Sequence, residues 1–191
     1  FIGKRDELRA EIASQFTLFA RLAPPPGERL APARFPPHRA TAVQVTRDVV
    51  AVDGRGVARL AALASPDGAA QVASDLNHAL AQAALAEGGP AGVDLSLSID
   101  REVRGATLAQ ILGVARRAGV RRVDLLLTRG GAPRLAKGPP EIGVVVPSDF
   151  VALPVELASD GAELGDDDRF GSIAPRLIDQ ALAGAGPLRI A

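Results

Sequence analysis

Six charged residues stand where they could hold a ligand. Asp100 and Arg101 directly follow the alternation of Val93, Leu95, Leu97 and Ile99, so they occupy the loop at the end of a strand, a place where binding groups are often carried. The competing reading is that Asp100 caps or orders the connection, with Arg101 paired to a neighbour. Arg116, Arg117, Arg121 and Arg122 bracket Gly119 as a local basic patch. Such a patch suits an anion, a lipid headgroup or an acidic partner, and it is equally the composition of a solvated helix end. Other chemistry is thin. His38 and His78 have no histidine or cysteine at metal-ligand spacing, and the run Gly165-Asp166-Asp167-Asp168-Arg169 lacks the alternating oxygen ligands of a calcium loop. It reads as an exposed acidic turn before a helix N-terminus. There is no Gly-x-Ser-x-Gly elbow, no dinucleotide or phosphate-loop glycine pattern, and no nucleophile, base and orienter that can be nominated together. No enzyme activity, metal or cofactor is therefore expected.

These residues need elements to position them. Val93 to Ile99 alternate with Asp94, Ser96 and Ser98 as a half-buried strand; Leu108, Ile111, Leu112 and Ala115 fall on one helix face. Gly119 stops that helix, Arg116 and Arg117 complement its dipole, and a strand follows to Thr128. Upstream, Val43 and Val45 alternate, Thr46-Arg47-Asp48 makes a reversal, and Val49, Val50 and Val52 lead into an Asp53-Gly54 tight turn before Val57 and Leu60. Residues 69–86 form a helix with Val72, Leu76, Leu80 and Leu85 on its buried side.

Composition excludes further classes. The 191 residues are 47% hydrophobic and 23% charged, the balance of a soluble globular chain, with a predominantly aliphatic core expected from six Phe and no Trp or Tyr. A formal charge of zero gives no overall electrostatic footprint for nucleic acid. Zero cysteines removes disulfides and thiolate chemistry and leaves the compartment open. No apolar run approaches the roughly 20 residues of a membrane helix. With no Met, a chain that begins at Phe1 reads as a processed product or a fragment. Lys4 to Leu22 has the stripe Leu8, Ile12, Phe16 and Phe19 of an amphipathic helix, expected to pack on the domain, with membrane-surface binding as the other reading. Pro24-Pro25-Pro26, Pro32, Pro36 and Pro37 then read as a semi-rigid linker.

The series Val43-Gln44-Val45-Thr46-Arg47-Asp48, Val50-Ala51-Val52-Asp53-Gly54-Arg55, Leu97-Ser98-Ile99-Asp100-Arg101, Ala118-Gly119-Val120 and Val123-Asp124-Leu125-Leu126-Leu127-Thr128 resembles the periplasmic domain of the ExbD/TolR family, over about 41–129. The resemblance implies an α+β fold, a small sheet with two helices on one face in the order β-β-α-β-α-β. It also implies a non-catalytic periplasmic domain tethered to the inner membrane, a homodimer working with an ExbB/TolQ-like membrane channel protein. Such a domain acts through protein–protein or peptidoglycan contacts driven by ion flow. The membrane helix with its proton-linked aspartate is missing from this sequence, and Gly105 stands near where the family often has an aromatic residue. A soluble binding or scaffold module of the same fold is the alternative.

The expected organisation is an N-terminal helix and Pro-rich linker over 1–40, the ExbD/TolR-like domain over 41–129, a linker with a short strand over 130–149, and a partial second unit over 150–191. In that last part Val151, Leu153, Val155 and Leu157 alternate, Ser159-Asp160-Gly161 turns as Asp53-Gly54 does, Ile173 to Ala183 is helical and Leu188 to Ala191 opens a strand.

Overall fold

The computed structural model describes residues 22–30, 41–53, 55–86, 94–129, 150–184 and 186–191. Apart from Leu22, the expected Lys4 to Leu22 helix lies outside the described residues, as do the connector over 130–149 and the end of the proline-rich stretch. Seven strands form one mixed sheet: β1 (Thr41–Val45), β2 (Val49–Val52), β3 (Arg55–Arg59), β4 (Asp94–Ile99), β5 (Arg122–Thr128), β6 (Phe150–Ala162) and β7 (Leu188–Ile190). Their order across the sheet is β3-β2-β1-β4-β5-β6-β7. Among the described residues three helices accompany them, α1 (Pro66–Ala86), α2 (Gly105–Arg117) and α3 (Phe170–Ala183), with a short 3-10 helix at Leu60–Ala64. The α+β class is as expected, and the three helices correspond to the helical stretches expected around 69–86, 108–115 and 173–183.

Period-two alternation becomes a shared face through register. Val52 aligns with Val43, Val43 with Leu97, Leu97 with Leu125, and Leu125 with Leu153. Paired residues project to the same side, so five aliphatic side chains cross the sheet in one buried row. The helices cover this row: Leu76 and Leu80 of α1, Leu108, Ile111 and Leu112 of α2, and Phe170, Ile173 and Leu177 of α3 belong to one cluster with it. Burying each such side chain stabilises the fold by about 1.5–3 kcal/mol.

Local chemistry sets the reversals. The Thr46 hydroxyl accepts the amides of Asp48 and Val49 at 3.2 and 3.0 Å, closing the β1–β2 hairpin. Asp53 takes a left-handed φ of 48° before β3, and its carboxylate accepts the Ala42 amide at 3.0 Å. At the end of α2, Gly119 has φ 94°; its amide donates to Arg116 and that of Val120 to Ala115, a Schellman closure that only a residue tolerant of positive φ sustains.

Several expectations change. Leu22 to Gly27 is no free linker: Pro26 bridges Thr128 in parallel, the Thr128 amide donates to Pro25 at 2.9 Å, and the Gly27 amide donates to Thr128 at 2.8 Å. This segment takes up hydrogen-bonding groups of β5 beyond the end of β4. Prolines are tolerated because the bonds made here use the Pro25 carbonyl and the Gly27 amide, neither requiring a proline N–H. Residues 41–129 and 150–191, expected as two units, contribute to one sheet and one hydrophobic cluster, with β5 and β6 antiparallel over seven aligned pairs. The expected Ser159-Asp160-Gly161 turn falls in an irregular part of β6, where Leu157 and Ala162 both align with Ile190. β7 lies parallel to β6, the strand compared with β2, whereas β4 lies parallel to β1; the pairing departs from strand-for-strand repetition. α3 begins at Phe170, three residues before the expected start.

Candidate functional site

The six nominated residues divide between opposite ends of the sheet. Asp100 and Arg101 follow the C-terminal end of β4, whereas Arg122 aligns with Asp94 at the other end of the same strand, Arg116 and Arg117 end α2, and Arg121 lies in the α2–β5 connection. The four arginines of the second group are exposed, and Arg122 also aligns with Glu156 across the β5–β6 pair. No single site unites the six.

Asp100 is wholly buried. Its Oδ2 accepts the Ala23 amide at 3.0 Å, and its Oδ1 accepts the Glu102 amide at 2.9 Å and Arg47 Nε at 3.4 Å. The Arg101 amide donates to the Ala23 carbonyl at 2.9 Å, and Arg101 Nε reaches the same oxygen at 3.4 Å. Asp100 therefore acts as a latch that fastens the N-terminal segment and the β1–β2 hairpin to the end of β4. A ligand reaching it would have to displace internal donors, so the ordering role weighed for Asp100 is the one its surroundings support.

Just outside this latch lies a feature the sequence did not single out. The loops before α2 and α3 run antiparallel, with a bridge between Arg104 and Arg169, and each caps the other helix. Gly105 and Ala106 donate to the carbonyls of Asp168 and Asp166 at 2.7 and 3.2 Å; Phe170 and Gly171 donate to those of Val103 and Arg101 at 2.7 and 2.8 Å. Arg104 and Arg169 occupy the cap positions without a side-chain cap, because backbone carbonyls from the facing loop satisfy the first amides. Both arginines are exposed. The acidic turn over 165–169 thus precedes a helix as expected, and Asp168 also pairs with Arg176.

Beside this exchange opens a cleft of about 830 Å³. Its walls are the β1–β2 turn with Arg47 and Asp48, the end of β3 with Arg59 and Leu60, and the start of α2 with Glu102, Val103, Arg104 and Thr107; Arg169 completes it. Arg47 reaches Asp100, and Arg169 forms an ion pair with Glu102. Arg59 and Arg104 enter no ion pair among the described residues. Positions 47, 59, 104 and 169 are far apart in sequence and lack any motif spacing, which hid the cluster. The one available signal was that each arginine lies in a turn or at an element end on the same end of the sheet.

Among the described residues there is no group of three or more His, Asp or Glu arranged to hold a metal ion, and no helix long and apolar enough to cross a membrane. The chain matches no family model, no curated protein and no solved structure.

Proposed function

We propose that this chain is a non-catalytic domain of ExbD/TolR type, periplasmic and tethered to the inner membrane, that works by contacts with partner proteins or the cell wall. In this reading it forms a homodimer, and ion flow through an ExbB/TolQ-like channel partner drives it. The observation that carries the reading is the element order between Thr41 and Thr128. A tight hairpin, a third short strand, a helix, a parallel strand, a second helix closed at Gly119 and another parallel strand follow one another. That order contains the β-β-α-β-α-β series the resemblance implies, with the short strand β3 added before the first helix. The absence of a nominated nucleophile and base in the sequence fits a domain that acts through its surface.

The extension by β6, α3 and β7 favours a second reading, a soluble binding or scaffold module without ion coupling, because it adds a helix whose loop helps to build the basic cleft. The two readings separate by biochemical isolation. The natural gene product, tagged and extracted from its own membranes in mild detergent, is expected to co-purify with a multi-pass channel protein and to crosslink as a dimer. Recovery in the soluble fraction without such a partner would instead select the binding module.

A further inference from the structure

We propose that the cleft between the β1–β2 turn, the end of β3 and the start of α2 is a docking site for an extended acidic peptide segment of a partner protein. This deepens the contact reading above and rests on its protein–protein arm. Four arginines line the cleft with the carboxylates of Asp48 and Glu102, and Asp100 lies buried beneath Arg47, so the arginines outnumber the carboxylates. Arg47 is turned to Asp100 and Arg169 to Glu102, whereas Arg59 and Arg104, which also line the cleft, enter no ion pair among the described residues. A guanidinium matches a carboxylate bidentately, so these two call for two acidic side chains.

Val49, Leu60, Ala61 and Val103 add apolar surface among the charges, which suits an aliphatic side chain carried between the acidic ones. Asp48 and Glu102 repel a compact, highly charged phosphate but tolerate singly charged groups placed opposite Arg59 and Arg104. The first amides of α2 add to the preference for anions through the helix dipole. Gly105 and Ala106 are already bonded, and Thr107 carries the first-turn amide without a backbone acceptor among the described residues. Thr107 itself lines the cleft.

The test uses the full 191-residue chain, a fluorescein-labelled decapeptide alternating glutamate with leucine, and the same decapeptide with lysine for glutamate. The glutamate peptide is expected to bind saturably, with amide shifts centred on Arg59, Val103, Arg104 and Thr107. The double variant Arg59→Gln/Arg104→Gln is expected to weaken binding by roughly tenfold or more. Both side chains are exposed, so its thermal midpoint should stay near that of the parent chain. Arg116→Gln/Arg117→Gln removes the same charge at the far end of the sheet and is expected to leave binding unchanged. Equal loss in both double variants would overturn the proposal in favour of nonspecific attraction. Saturable binding of inorganic phosphate at Arg59 and Arg104, with no binding of the glutamate peptide, would overturn it in favour of a small-anion site. Loss of a channel partner in the membrane isolation, with peptide binding intact, would reject the envelope reading and leave the cleft standing.

Discussion

The Ala23 amide donates to Oδ2 of Asp100 at 3.0 Å, joining residues 77 positions apart. This bond fixes a segment rich in proline against a strand end, and it does so through a carboxylate with no exposed surface. Replacing Asp100 by Ala orphans the amides of Ala23 and Glu102 and frees Arg47. The expected loss is about 2 kcal/mol or more, from the cost of about 1–3 kcal/mol for a buried donor left without its acceptor. Asp100→Asn keeps one carbonyl oxygen and should fall between the parent and the Ala variant. Denaturant midpoints measure both, and an unchanged midpoint for Asp100→Ala would refute the latch.

Gly27 tests the same attachment from the other side. A Cβ there would stand 2.6 Å from Val151 Cγ2 and 2.8 Å from Leu127 Cβ, both on fully buried residues that cannot retreat into solvent. Gly27→Ala is expected to destabilise by about 1–3 kcal/mol through overpacking. A free linker would absorb the methyl group with no measurable change, so the unfolding midpoint decides between attachment and mobility.

Gly105 and Gly113 make a matched pair within α2. A Cβ on Gly105 would collide with the backbone carbonyl of Gly165, at the place where the loops before α2 and α3 cap each other's helices. Nothing closer than 3.6 Å, the end of the Arg117 side chain, would meet a Cβ on Gly113. Gly105→Ala should therefore cost about 1–3 kcal/mol, whereas Gly113→Ala should stabilise by up to about 1 kcal/mol from helix propensity. Opposite signs in thermal unfolding are the expected result; two values of the same sign would count against the reciprocal caps. The close approach also explains why this position has no room for an aromatic residue such as the resembled family often carries near it.

What the sequence disclosed and what it withheld have physical reasons. The strands around Leu97 and Leu125, and the helix that Gly119 ends, were legible because alternation and capping are local, set by residues within a few positions of one another. The strand role of Pro25 and Gly27 was hidden because its hydrogen-bonding partner, Thr128, lies about a hundred positions away and a proline run by itself resembles a connector. The start of α3 is not legible in the sequence because its cap is not a Ser, Thr or Asp side chain but the carbonyls of Val103 and Arg101. Asp100 is a candidate from its place after a strand, and only the geometry distinguishes an inward latch from an outward ligand. Arg59 and Arg104 went unnoticed for the converse reason: exposed arginines at element ends are ordinary until the fold brings them to one cleft.

Leu125 and Leu126 show what the sheet register implies for stability. Leu125 aligns with Leu97 on one side and Leu153 on the other, in the row under the helices, and is 1% exposed. Leu126 points to the opposite face and is only partly buried. Truncating Leu125 to Ala removes methyl groups from a packed cluster that cannot fully collapse around the void, so a cost of about 3–4 kcal/mol is expected. Leu126→Ala should cost less than half of that, because it loses less buried surface and opens less of a cavity. For a chain of this length each kcal/mol moves the thermal midpoint by about 2–4 °C, so calorimetry resolves the difference. Equal costs at the two positions would mean that both faces of β5 are packed alike, and the assignment of the three helices to the Leu125 face would have to be abandoned.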